Sequence, residues 1–108
     1  MQLTNYDFRR IDSLLQQCLN VHNAMQDTTK DLSEYIDLKK YKLQYIPFLD
    51  EKGKKKVYIN SFCDSFSDSK NYWKQSLVVM NGGGRCIFQV TINLTENTFD
   101  QLLTNPII

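Results

Sequence analysis

The pattern of apolar positions begins with a helical period. From Phe8 to Met25 apolar residues recur at steps of three and four, which is typical of an amphipathic helix. Thr4 is placed to cap this helix, and Asp7 is placed to accept hydrogen bonds from its first turn. We therefore predict a helix from about Leu3 to Met25. Its core-facing stripe is predicted to comprise Phe8, Ile11, Leu14, Leu15, Cys18, Val21, His22 and Met25.

After residue 40 the period changes to two, which indicates strands. "YKLQYIPFL" (residues 41–49) and "VYINSFC" (residues 57–63) predict a hairpin that turns around Gly53. Pro47, near the end of the first strand, favours an edge or a bulge. "WKQSLVVM" and "RCIFQVTINL" predict a third and a fourth strand. Each predicted strand has one polar and one apolar face.

The glycine run "NGGG" (residues 81–84) is open to two interpretations. A phosphate-binding loop requires a helix after the glycines, because the helix N-terminus supplies the free N–H groups. A strand follows here instead. The run is therefore predicted to be a hairpin connection, in which glycine tolerates positive φ angles.

These elements predict an α+β fold in which one N-terminal helix packs on a four-stranded antiparallel meander sheet. Helix and sheet each have an apolar side to bury, and 108 residues suffice for a single domain with one modest core. The order of one helix followed by four strands is similar to that of cystatin-like folds.

Several short stretches also resemble a family of small uncharacterised bacterial proteins of the Bacteroides–Flavobacterium type. These are "QYIPF", "KGKKKVYINSFC", the single Trp73, "GGGRCIF" and "VTINL". The resemblance extends from about Tyr41 to Asn105 and leaves the helix outside it. It implies an exported or envelope protein and no particular activity.

Composition limits the partners. The formal net charge of +1 supplies no electrostatic attraction for nucleic acid or for an anionic membrane. No apolar run approaches the ~20 residues that span a bilayer. The N-terminus lacks the apolar region of a secretory signal, so we expect a cytoplasmic protein or a processed exported form. No cofactor is expected.

The cysteines and the one histidine leave several chemistries open. Cys18 and His22 are four apart on the predicted helix, and Cys63 and Cys86 fall on the sheet face that the helix should cover. The four residues form a candidate zinc set. The default interpretation is three buried thiols with a core or boundary imidazole, since free cysteine is among the most buried residue types. A Cys63–Cys86 disulfide is a stronger alternative than zinc if the protein is exported. A Cys–His nucleophile pair is a further alternative.

Two function classes follow. The first is a non-catalytic module that binds a protein or glycan, or a second copy of itself, through the polar sheet face and the 64–74 loop. The alternative is a small enzyme or ligand-binding domain with a pocket between helix and sheet. We favour the first class because aromatic side chains supply large contact areas at interfaces. The candidate binding residues are Phe66, Tyr72 and Trp73 in the loop, and Tyr58 and Phe62 on the sheet face.

Overall fold

Along the chain, the helix comes first and the strands of the sheet follow, as predicted. A computed structural model describes residues 2–29, 36–63 and 86–104 of the chain. Helix α1 spans Asn5–Thr29, and a single 3-10 turn spans Leu38–Lys40. The strands are β1 (Tyr41–Leu49), β2 (Lys55–Cys63), β3 (Ile87–Asn93), β4 (Thr98–Phe99) and β5 (Leu103–Thr104).

The start of α1 is set by the predicted cap. The Asp7 backbone N–H donates to Thr4 Oγ1 at 3.1 Å, and the Thr4 backbone N–H donates to Asp7 Oδ2 at 3.0 Å. This reciprocal pair satisfies two N–H groups that a helix start leaves without an intrahelical partner. The helix then continues to Thr29, one turn beyond the predicted end.

The sheet is antiparallel, so the predicted α+β class is confirmed. Its order is β1-β2-β3-β4, and β5 pairs with the other half of β3. The predicted second and fourth strands are direct neighbours, with Phe62 opposite Ile87. Two short strands, β4 and β5, were not predicted. The predicted third strand (residues 73–80) and the NGGG connection lie outside the described residues.

The core lies between α1 and one face of the sheet. Val57 and Ile59 of β2, with Phe88, Val90 and Ile92 of β3, supply the sheet side. The helix supplies Ile11, Leu14, Leu15, Cys18 and Leu19.

The buried stripe of α1 differs from the predicted one at its rim. Leu19 is buried, whereas Phe8, Val21 and Met25 are exposed. Leu19 and Val21 lie on opposite borders of the stripe, because successive residues are separated by about 100° around a helix. The helical period therefore identifies the face, but the packing partner decides which border is covered.

Two polar side chains of α1 bind distant backbone. The Asn23 amide donates to the Ile36 carbonyl at 2.8 Å and accepts from the Ile36 N–H at 2.9 Å. The Arg10 guanidinium donates to the Leu94 carbonyl and to Asn97 Oδ1. Asn97 has a positive φ of 56°, a conformation that asparagine tolerates better than most residues. Both ends of the helix are thus joined to the segments that flank the sheet.

Candidate functional site

The sheet face opposite α1, here called the outer face, is not uniformly polar. Phe62 has no exposed surface, and its cross-strand neighbour Ile87 is 1 % exposed. The prediction that Phe62 is an exposed binding residue is therefore wrong. The physical reason is that β2 is buried on both faces near its end. The signal in the sequence was Ile87, the one apolar residue that broke the alternation of its strand and that faces Phe62.

Tyr58 lies on the outer face and is half-buried. It stands opposite Ile46 of β1 on one side and Thr91 of β3 on the other. The loop candidates Phe66, Tyr72 and Trp73 lie outside the described residues, and their role stays a prediction.

A row of amide side chains crosses the outer face between Tyr58 and Phe62. Asn60 is buried, donates to Gln44 Oε1 at 2.9 Å and accepts from Gln89 Nε2 at 3.3 Å. The three residues are cross-strand neighbours on β1, β2 and β3. A buried amide needs such partners, because an unpaired polar group would carry a desolvation cost.

Cys63 and Cys86 are bonded to each other, with their Cα atoms 4.9 Å apart. Bonded sulfurs are not thiolates, and metal binding requires the thiolate. The proposed zinc set of Cys18, His22, Cys63 and Cys86 thus loses two of its four ligands. Within the described residues, no group of three or more His, Cys, Asp or Glu side chains is placed to hold a metal ion.

Cys18 is the remaining cysteine, and it is buried. Burial raises the pKa of its thiol to about 11, so the nucleophilic thiolate is scarce at neutral pH. Cys18 and His22 line a groove between α1 and the segment that contains Phe99 and Leu102. The groove has a volume of about 100 Å³. Pockets for drug-sized ligands are typically ~300–1,000 Å³, so this groove suits at most a very small apolar group.

The lysine-rich hairpin is largely neutralised by carboxylates. Lys54 pairs with Glu96, Lys55 Nζ lies 2.6 Å from Asp7 Oδ2, and Lys56 Nζ lies 3.2 Å from Asp50 Oδ2. Gly53 turns the hairpin with a φ of 77°. Three of the four lysines in the run "KGKKK" therefore form ion pairs within the chain.

The carboxylates of these pairs titrate below their ordinary ranges. The Lys55 ammonium and the Thr4 backbone N–H hold the pKa of the Asp7 carboxyl at about 2. The Lys54 ammonium lowers the pKa of Glu96, and the Lys54 backbone N–H lowers the pKa of Asp50. All three carboxylates are charged at neutral pH, as the ion pairs require.

Among the described strands, β1 has the most exposed apolar side chains. Ile46 and Phe48 on the outer face are 41 % and 37 % exposed, and Leu49, which alternates to the other face at the end of the strand, is 61 % exposed. The three residues are here called the β1 patch. Of the two predicted alternatives for Pro47, the bulge is absent, since β1 pairs with β2 in a continuous register. Among the described residues, no strand pairs with its other edge. The signal for this cluster was the run "IPFL", which is apolar at consecutive positions of a strand that contains proline.

The backbone of β1 shows why Pro47 is tolerated. The Asp50 N–H donates to the Lys54 carbonyl at the hairpin, which sets the alternation of the ladder. Even-numbered residues of β1 then bond to β2, and odd-numbered residues turn their N–H and carbonyl groups to the outer edge. Pro47 is odd-numbered, so its missing N–H removes no bond from the sheet.

Comparison of the chain with protein-family models, with curated protein sequences and with solved structures gives no match. The resemblance to the bacterial family and to cystatin-like folds stays a prediction. In the part of the chain that the structure describes, no helix has the length and apolar content needed to cross a membrane.

Proposed function

We propose that the chain is a non-catalytic interaction module that binds its partner through the β1 patch and the outer edge of β1. The observation that carries this proposal is the exposure of Ile46, Phe48 and Leu49 beside a strand edge that has no described neighbour. An exposed apolar edge is a hazard that folded proteins usually cover or charge. Where it is retained, it marks a contact surface.

Tyr58 extends this surface. It stands opposite Ile46 across β1 and β2 and is half-buried, so its ring adjoins the β1 patch. Phe66, Tyr72 and Trp73 remain candidates on sequence grounds, as aromatic residues in a polar stretch between two strands. Aromatic side chains are enriched where binding energy is concentrated.

The alternative is a ligand-binding domain or small enzyme that uses the groove between α1 and Leu102. The presence of Cys18 and His22 in one groove favours it. The small volume of the groove and the raised pKa of the Cys18 thiol oppose it. We therefore keep this function second.

The disulfide also bears on the compartment in which the chain acts. Disulfides persist in oxidising compartments and are rare where thiols are kept reduced. We infer that the chain acts outside the reducing cytoplasm. Denaturing the cells in acid and then alkylating all thiols before any reduction tests this, with one blocked cysteine per chain expected. Three blocked cysteines would place the protein in a reducing compartment.

A photo-crosslinking amino acid at Phe48 tests the interaction surface in extracts of the native host. The matched control carries the same crosslinker at Gln17, an exposed position of α1. We expect a discrete crosslinked species from position 48 that is lost when Ile46→Lys is added. Equal crosslinking from both positions, or none from position 48, would contradict the proposal.

A further inference from the structure

The outer edge of β1 carries opposite charges at its two ends. Lys39 and Lys40 precede the strand and are exposed. Asp50 and Glu51 follow it, and Glu51 is exposed. A strand that pairs antiparallel with this edge places its C-terminal end beside the lysines that precede β1. Its N-terminal end then lies beside the acidic residues that follow β1. The strand that best complements this pattern has the same charge order as β1 itself.

The backbone of the edge fits the same arrangement. Tyr45 is the midpoint between Lys40 and Asp50, and its N–H and carbonyl face the outer edge. A two-fold axis at Tyr45 lets the two Tyr45 residues exchange a pair of hydrogen bonds. In that register the Leu43 N–H of one copy donates to the Pro47 carbonyl of the other. The reciprocal hydrogen bond to the Leu43 carbonyl is absent, because proline has no N–H. The lysines that precede β1 in one copy then lie at the same end of the contact as Asp50 and Glu51, which follow β1 in the other copy.

The side chains at the centre are apolar. Ile46 and Phe48 point to the outer face next to the two-fold axis, and Tyr45 points to the helix side, where its ring meets Phe8 in an edge-to-face contact at 5.6 Å. Phe8 is itself partly exposed. Pairing of two β1 strands would bring two such aromatic pairs together on the helix side. On the outer face it would place the two Ile46 side chains diagonally across the two-fold axis.

We propose, building on the proposed function, that the partner at this edge is a second copy of the chain. The two β1 strands pair antiparallel about Tyr45 and form one sheet that runs through both copies. The charge order of the edge separates this partner from an unrelated extended segment, which would use the same backbone groups without needing opposite charges at its two ends.

Sedimentation velocity of the purified full chain, from micromolar to millimolar concentration, tests the proposal. We expect a reversible monomer–dimer equilibrium. Ile46→Lys should weaken it by about tenfold or more, because each copy places a charge in the apolar centre of the contact. The matched control is Val21→Lys, which introduces the same charge at an exposed valine of α1 and should leave dimerisation unchanged. Thermal melts confirm that both variants fold.

A charge exchange tests the arrangement of charges at the two ends of the contact. Lys39→Glu and Glu51→Lys should each weaken dimerisation by about threefold, the scale of an exposed ion pair that occurs twice in the dimer. The double variant Lys39→Glu/Glu51→Lys should restore it. A protein that stays monomeric at millimolar concentration overturns the proposal, as do equal effects of Ile46→Lys and Val21→Lys, or a double variant that is weaker than either single one.

The crosslinker at Phe48 separates the two proposals. A monomeric pure protein that crosslinks a different protein from position 48 would overturn self-pairing and support the interaction module. A monomeric pure protein without any crosslink from that position would overturn both.

Discussion

The two ends of the outer face have similar side chains and opposite burial. At the hairpin end, Ile46 and Phe48 are exposed. At the disulfide end, Phe62 and Ile87 are fully buried, although α1 packs on the other side of the sheet. The means of stabilisation differ as well. Ion pairs surround the hairpin, whereas a covalent bond closes the far end.

This contrast teaches that a face of a sheet is not one environment. Strand alternation assigns residues to a face, but it does not say whether each part of that face is covered. At the open end, apolar side chains remain available for a partner. At the closed end, the same kind of side chain belongs to the fold.

Replacing Phe62 and Phe48 in turn is the most direct test of the difference between the disulfide end and the hairpin end. Phe62→Ala should cost ~3–5 kcal/mol of unfolding free energy, because it leaves a cavity at a fully buried site. Phe48→Ala, on the same face and of the same chemistry, should cost about 1 kcal/mol or less. Denaturant unfolding measures both. Equal losses would mean that the two ends are alike and that the β1 patch is part of the core.

Removal of the disulfide tests the closed end. The double variant Cys63→Ser/Cys86→Ser should lose ~3 kcal/mol, since the bond joins residues 23 apart in sequence and restricts the unfolded chain. Chemical denaturation in the absence of reductant measures the loss.

Thiol counting gives an independent check of the bond. The denatured, unreduced wild type should show one reactive thiol, that of Cys18, and the native protein should show almost none within the same time because Cys18 is buried. Three reactive thiols in the denatured protein would contradict the bond.

Acid titration probes the hairpin end. Asp7 has a folded pKa of about 2 and an ordinary value of 3.8, so its charge stabilises the fold above about pH 4. This contribution is lost as the pH falls from about 4 to about 2. Asp7→Asn should therefore be less stable than the wild type at pH 7, and the gap should close near pH 2. Asp12→Asn, at an exposed position of the same helix, is the control. If the stability difference between the wild type and Asp7→Asn did not change with pH, the Asp7–Lys55 ion pair would not be what stabilises the hairpin end.

Ser61 offers the smallest test. Its hydroxyl oxygen is buried on the helix side near the disulfide end and has no hydrogen-bond partner among the described residues. Ser61→Ala should raise the unfolding free energy by about 1 kcal/mol, because it removes an unpaired polar group from the core. Thermal and denaturant unfolding detect this change. A loss of stability instead would show that the hydroxyl is bonded in solution.

Part of the candidate site was visible in the sequence. Pro47 indicated an edge strand, and the run of apolar residues around it is the β1 patch. Phe62 was assigned to the correct face but to the wrong environment. The one hint was Ile87, which breaks the alternation of its strand, but the pairing of Ile87 with Phe62 is a tertiary contact that no local pattern predicts. The sequence did not indicate the ion pairs of Lys54 and Lys55, because their partners Glu96 and Asp7 are far away in sequence.

What the sequence by itself determined is local. The cap at Thr4, the helical period, the turn at Gly53 and the alternation of β2 and β3 each depend on residues within a few positions, so their physics is readable along the chain. The tertiary structure alone decided the direct pairing of β2 with β3, the exposure of Ile46 against the burial of Phe62, and the joining of Lys55 to Asp7. Each of these depends on which distant segments meet, and the free energy of such contacts arises only when the chain closes around them.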